Sequence, residues 1–320
     1  MNRFIPDPFI PILLGTVALA SIFPASGAIA GQLSMVATAA VMLLFFLHGI
    51  KLPRENLVAA IVNWRLHLFI LGTTYVLFPL LGLTLNKLWP SLLPENLWAG
   101  VLFLCALPST VQMSIAFTSM AKGNVAAAVT SAAASNLLGI ALTPVIASLL
   151  LHAQGSGGSS LSGIWKVALQ LLLPFIVGHL LRPLLADWAS RRKQLISWCD
   201  RLTILLSVYS AFSAAVIDGI WSRIPLVTLL VTALVCFCIL CFVMVFTYQG
   251  ARIAGFTREE QRSALFCGTF KSVVSGVPMA RVLFPSAQIG AMILPLMMYH
   301  QLQMMTSATL APRLAKKMEP

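Results

Sequence analysis

The sequence predicts an all-α polytopic membrane protein, with ten transmembrane helices arranged as two inverted five-helix repeats. Three observations predict it. Of 320 residues, 59% are hydrophobic and only 9% charged, where a soluble domain carries about 25% charged residues. The mean hydropathy is +0.91. Apolar stretches long enough to cross a hydrocarbon core of about 30 Å recur along the whole length. A Gly/Ser-rich segment, HAQGSGGSSLSG, stands at mid-chain and divides those stretches into five and five.

The stretches fall near 8–25, 31–50, 66–88, 97–121 and 124–152, then 163–185, 201–219, 224–252, 260–284 and 287–312. Residues 1–152 form the first repeat, 153–162 the linker and 163–320 the second repeat. The first stretch follows Arg3 and ends near the small residues of PASGA. Its basic region is weak and includes Asp7, so it reads as a first transmembrane helix rather than a cleaved signal.

Charge sets the orientation. With the N-terminus inside, sixteen of the 21 Lys and Arg residues fall in inner segments and four in outer ones. The positive-inside rule then places both termini in the cytoplasm of a cell whose inner membrane holds the chain. The same asymmetry accounts for the net charge of +12. No basic run is interleaved with aromatics, so nucleic acid is not an expected partner. The six cysteines lie mostly inside apolar stretches, without the His or acidic neighbours of a metal centre. His48, His67 and His179 have no nucleophile or metal partner in the sequence, which argues against an enzyme.

Five helices per half means that the second half enters the membrane from the opposite side, the plan of many secondary transporters. The fourth helix of each half is also interrupted. In the first half the break is CALPSTVQMS (105–114), and in the second it is CGTFKSVVSGVPM (267–279). Polar interruptions at corresponding positions of two repeats point to a midplane binding site. Non-helical backbone survives at that depth only inside protein or against a wet cavity.

Lys271 lies eleven residues from Glu260 and thirteen from Phe284. A helix rise of 1.5 Å per residue puts it about 17 Å from one end and about 20 Å from the other, near the membrane centre. Each acidic residue falls in a loop or near a helix end, so no carboxylate is expected beside it. The ammonium must therefore be offset by a substrate anion, by helix C-terminal carbonyls at the break, or by loss of its proton. Other polar groups could converge with it: Ser109, Thr110, Gln112 and Ser114 on the first broken helix, and Thr130, Ser131, Ser135 and Asn136 on the fifth. Thr269, Ser272 and Ser275 lie on the second broken helix, and His300, Gln301 and Gln303 on the tenth. Asn136 and His300 stand out, because each needs an outside partner in lipid.

Five segments carry a resemblance over nearly the whole chain: FFLHGIKL (45–52), ALPSTVQ (106–112), AKGNVAAAVTSAAASN (121–136), RSALFCGTFKSVVSG (262–276) and YHQ (299–301). In this order, on ten helices, the chain resembles the bile acid:sodium symporter superfamily. It is most similar to the subgroup that includes the seventh member of vertebrate solute carrier family 10. The resemblance implies a core domain and a panel domain, unwound and crossing fourth and ninth helices, and substrate binding beside the crossover.

Sodium is the one cofactor the resemblance implies. In sodium-dependent members a ninth-helix glutamate ligates both ions and a glutamine follows one turn later. Those positions fall at Cys267 and Lys271. The fifth-helix hydroxyls fall at Ala128 and Ala132. Such replacements argue against two-sodium coupling, since a fixed ammonium supplies the same charge to the same oxygens.

The expected function is secondary active transport of a small organic anion by alternating access. Expected substrate contacts are Thr110, Gln112, Lys271, Ser272, Ser275 and His300. Ser109, Ser114, Thr130, Ser131, Asn136, Cys267 and Thr269 make the ion site or its remnant. The rival expectation keeps the fold but is an uncoupled facilitator, or a membrane regulator of ion (calcium) homeostasis. Beyond a small anionic solute and the lipid bilayer, the sequence names no partner and no oligomeric state.

Overall fold

The computed structural model describes residues 9–51, 63–154, 161–217, 219 and 225–316. All regular structure among them is helical: α1 (Phe9–Ile22), α2 (Gly27–Lys51), α3 (Trp64–Leu88), α4 (Glu95–Ala106), α5 (Val111–Met120), α6 (Val125–Gln154), α7 (Leu161–Leu180), α8 (Arg182–Arg191), α9 (Lys193–Ile217), α10 (Leu226–Ile253), α11 (Arg258–Thr269), α12 (Val273–Leu283) and α13 (Ser286–Lys316). A short 3-10 turn, Pro90–Leu92, precedes α4.

Among the described residues, five helices are each long and apolar enough to span a membrane: α2, α3, most of α6 (Val125–Leu151), most of α9 (Lys193–Ala214) and α10. The count rises to seven if each of two bent pairs makes one span. One pair is α4 with α5, bent by 64°, where the sequence predicts the first break. The other is the second half of α7 with α8, bent by 91°. Here the structure departs from the single expected stretch over 163–185. Pro183 sits in the first turn of α8, where a proline is tolerated but cannot continue the preceding helix. The expected linker lies partly outside the described residues, at 155–160, as does the first inner loop at 52–62.

Local chemistry explains the helix starts. Thr257 and Glu260 form a capping box at α11, with the Thr257 hydroxyl accepting from the Glu260 backbone and the Glu260 carboxylate accepting from the Thr257 backbone. Asn124 caps α6 by accepting from the Ala127 N–H at 2.9 Å.

The chain forms two compact units, each drawn from both halves of the sequence. The first comprises Met1–Lys51, Leu169–Pro225 and Val277–Ala291. Within it α1 and α2 both pack on α9, and α8 packs on α2. α2 and α7 touch backbone to backbone: a Cβ at Gly49 would meet the Phe175 carbonyl, and one at Gly178 would meet the Phe46 carbonyl. The second unit comprises Leu52–Ala168, Leu226–Gly276 and Met292–Pro320. There α6 lies against both α4 and α5, and α11 against α10 and α5. Phe117 of α5 stacks on Phe266 of α11 and meets Phe270 edge-on, with ring centroids 6.0 Å and 5.6 Å away. The first predicted break and residues 267–276 of the second belong to this second unit.

Candidate functional site

Helix α4 ends where Pro108 follows Leu107, which is extended at ψ 153°; a residue before proline is steered out of the helical region. The terminal carbonyls of α4 then need donors, because a buried unpaired carbonyl is destabilising. Each finds one. Leu104 accepts from the Leu107 N–H at 3.2 Å, and Ala106 from the Thr143 hydroxyl at 2.9 Å. Cys105 and Leu107 accept from the Lys271 Nζ at 3.2 Å and 2.7 Å. Pro108 accepts from the Ser272 N–H at 3.0 Å. Ser109 accepts from the Asn136 side-chain amide, and its own N–H donates to the Ser135 hydroxyl at 3.0 Å.

The second break is satisfied from α13. Thr269, the last residue of α11, accepts from the Tyr299 hydroxyl at 2.8 Å. Gln303 grips the backbone of Lys271 from both sides: its Oε1 accepts from the Lys271 N–H at 3.0 Å, and its Nε2 donates to the Lys271 carbonyl at 3.1 Å. Ser272 then starts α12, its hydroxyl accepting from the Ser275 N–H at 3.1 Å in the manner of an N-cap.

Lys271 is fully buried. Besides Cys105 and Leu107, its Nζ donates to the Thr74 carbonyl at 3.1 Å. It also sits 3.9 Å from the centroid of the Phe78 ring, a cation–π contact. Three donors thus meet three carbonyls. The availability of Thr74 has a local cause. Residues Thr73–Leu77 of α3 form a π-helical turn in which the Phe78 N–H bonds Thr73. Five residues beyond Thr74 stands Pro79, which has no N–H to offer.

The other expected residues divide. Ser109 and Ser114 pair hydroxyl to hydroxyl at 3.2 Å. Asn136 joins the breaks a second time, because its Oδ1 accepts from the Ser275 hydroxyl at 2.7 Å. Thr110 is buried beside the first turn of α5. His300 is half-buried, with its Nδ1 2.9 Å from the Gln303 amide. By contrast, Gln112 points to the exposed side of α5. Thr130 and Thr269 bond back to carbonyls of their own helices, Ala126 and Leu265. Ser131 pairs with His67 at 2.6 Å. Cys267 lies among Leu66, Ile70, Ala127 and Ala128, its thiol 3.7 Å from the Ala128 carbonyl.

Tyr75, whose hydroxyl donates to the Ser135 carbonyl, completes the site with Thr74 and Phe78, none of which stood out in the sequence; Tyr299 stood there only within the YHQ segment. A hint was present for Thr74, in the proline five residues on. Gln303 stood one turn from His300 in the polar inventory but was not placed in the site.

Chemically, the two breaks make a polar node in which the α4 C-terminus meets an ammonium. The first turns of α5 and α12, the positive ends of two half-helices, begin at the same node. None of the five described carboxylates, Glu95, Asp187, Asp200, Glu259 and Glu260, belongs to it.

Comparison with known proteins matches residues 7–316 to the SBF-like CPA transporter family. An uncharacterized protein of Pseudomonas aeruginosa is 48% identical over 98% of this chain and 95% of its own. YfeH of Escherichia coli, named as a candidate symporter, is 48% identical over 98% of this chain and 94% of its own. Sodium/bile acid cotransporter 7 of Rattus norvegicus is 29% identical over 98% of this chain and 93% of its own. A match over nearly the whole length, on a helical chain with two paired helix breaks, places this protein in the SBF-like CPA transporter family.

Proposed function

We propose that this chain is a secondary carrier of a small organic anion, working by alternating access, in which the Lys271 ammonium stands where relatives would hold a coupling sodium ion. The single observation that carries the reading is the ammonium seated on the carbonyls of Thr74, Cys105 and Leu107. Backbone carbonyls converging on one buried point make a cation site. Here the cation is covalent and stays put.

The donor set supports the same reading. Cys267 faces an apolar cluster, and Ser109 and Ser114 are engaged with each other. That leaves no described carboxylate to balance a sodium ion, so the residues present do not fit one, and no transport step is routed through sodium. An anion is favoured by the half-helix N-termini of α5 and α12. Since every Lys271 donor is engaged, the solute's direct contacts fall to Asn136, Ser272, Ser275, His300 and Thr110. The rat relative's name pairs sodium with bile acid; from that pairing the organic-anion class is carried here and the ion is not. Paired breaks in two halves of opposite entry support the inverted-repeat plan, and the basic-residue asymmetry supports cytoplasmic termini in an inner membrane.

The test is uptake into proteoliposomes of a panel of radiolabelled small carboxylates, with and without a sodium gradient. Saturable uptake unaffected by sodium is expected. Uptake that requires sodium would refute the fixed-cation reading. A second reading, an uncoupled facilitator, is favoured by the same immobile ammonium, which leaves no cation to exchange at that point. It would appear as saturable uptake that never exceeds equilibration.

A further inference from the structure

The first compact unit holds a cavity of about 260 Å³ between the start of α2 and the end of α9. Its wall includes Ser26 and Gly27 at the first turn of α2, then Ser34, Ser210 and Ser213. Two of these serines hold the guanidinium of Arg281. The Arg281 Nη1 donates to the Ser210 hydroxyl at 3.0 Å, and its Nη2 donates to the Ser34 hydroxyl and carbonyl at 2.8 Å and 2.9 Å.

Arg281 is 8% exposed, yet among the described residues it pairs with no carboxylate. Its Nε has no hydrogen-bond partner, and neither does the hydroxyl of Ser213 on the cavity wall, which is only 2% exposed. Arg281 is not itself on the cavity wall, and its charge acts from behind Ser34 and Ser210; with the orphaned Ser213 hydroxyl and a helix N-terminus it favours negative charge in the cavity. The groups of the α5–α12 crossover contribute nothing to this cavity.

We propose that the cavity is a second anion site, taking one small carboxylate or phosphate group. Its volume is below the range of about 300–1,000 Å³ usual for drug-sized ligands, which suits a small acid or a single headgroup rather than a steroid. The anion lies against the first turn of α2, accepts from Ser213, and neutralises Arg281 through the serines that hold it. A dissolved anion and the headgroup of an anionic lipid present the same oxygens.

The test uses the purified full-length protein in neutral detergent. Its melting temperature is titrated with sodium succinate and sodium phosphate against sodium chloride at matched ionic strength, while native mass spectrometry tests retention of phosphatidylglycerol against phosphatidylcholine. A saturable rise with either dissolved anion, or selective retention of phosphatidylglycerol, is expected, and which of the two occurs names the source. S213A should weaken the effect by about tenfold, the scale of one hydrogen bond to a charged group. R281Q should abolish it; if that variant does not fold, S213A decides alone. S275A, at the crossover, removes only what the crossover contributes to the rise and should leave the Ser213-dependent part, and lipid retention, unchanged. A rise lost in S275A but kept in S213A would assign the anion to the crossover and overturn this site. So would the absence of any rise or retention. So too would an effect that appears only in D218N, since Asp218, just beyond α9 in sequence, would then be the resident counter-charge.

Discussion

Ser272 donates its backbone N–H to the carbonyl of Pro108 at 3.0 Å, so the first residue past one helix break is hydrogen-bonded to the middle of the other. The two non-helical segments satisfy each other. Neither could sit at membrane depth alone, because each exposes backbone groups that lipid cannot solvate. The crossover is therefore a cooperative unit, and changes on one strand of it are felt on the other.

Lys271→Met keeps the length of the side chain and removes its three donors. The carbonyls of Thr74, Cys105 and Leu107 are left unmet. Breaking a buried charge interaction costs about 3–5 kcal/mol. A clear drop in melting temperature is expected, with membrane insertion retained. Lys271→Ala opens a gap of alkylammonium size, so millimolar methylammonium should restore part of the lost stability while tetramethylammonium should not. Equal effects of the two cations would show that the carbonyl ring is not what the ammonium serves.

Gln303→Leu leaves both backbone groups of Lys271 without partners. At about 1–3 kcal/mol for each unsatisfied group, the expected loss is about 2–6 kcal/mol. Gln112→Ala, on the exposed side of α5, should change stability by less than about 0.5 kcal/mol. Thermal unfolding of the two variants side by side checks the contrast.

Asn136 separates position from charge. Asn136→Ala loses the bridge from Ser109 to Ser275, and its KM for the transported anion should rise several-fold. Asn136→Asp keeps an acceptor for Ser275 but adds a negative charge where an anion is proposed to bind. Its KM should rise by about tenfold more, a difference of about 1.4 kcal/mol. A larger defect in the alanine variant would speak against an anionic substrate.

Gly49→Ala and Gly72→Ala should move stability in opposite directions. A methyl at Gly49 would collide with the Phe175 carbonyl and force α2 from α7. Overpacking of this kind costs about 1–3 kcal/mol. At Gly72 nothing lies within 4 Å of the added carbon, and the helical backbone gains about 0.5–1 kcal/mol from losing a glycine. Melting temperatures of the two variants give the sign of each.

The places of the breaks were legible because Pro108 stands with hydroxyls and a glutamine in one apolar run, and Lys271 with hydroxyls, glycines and Pro278 in the other. What satisfies the breaks was not legible. Tyr75, Ser135, Tyr299 and Gln303 act across 26 to 60 residues of sequence, and nothing local distinguishes them from tyrosines, serines and glutamines that bond their own turn. Gln112 and Thr130 lie off the node for the complementary reason. Their residue types fit a site, but a helix of 3.6 residues per turn carries one to the exposed side, and an i−4 carbonyl occupies the other. The turn at Leu181 was hidden inside a hydrophobic run, although the Arg182–Pro183 pair announces it.

The π-helical turn at Thr73–Leu77 carries a lesson about inheritance. Such a turn amounts to one extra residue lodged in a helix. Removing that residue would put Pro79, which has no N–H, four places after Thr74, so the Thr74 carbonyl would still lack a partner in its own helix, but the residues before the deletion would swing by about 100° around the axis. The Thr74 carbonyl would turn away from Lys271, and the lysine would be one acceptor short. Lysine and insertion are thus each other's condition, and a lineage could gain or shed them only as a pair. Across descendants of one ancestor, a neutral residue at position 271 should travel with a helix one residue shorter between Thr73 and Pro79.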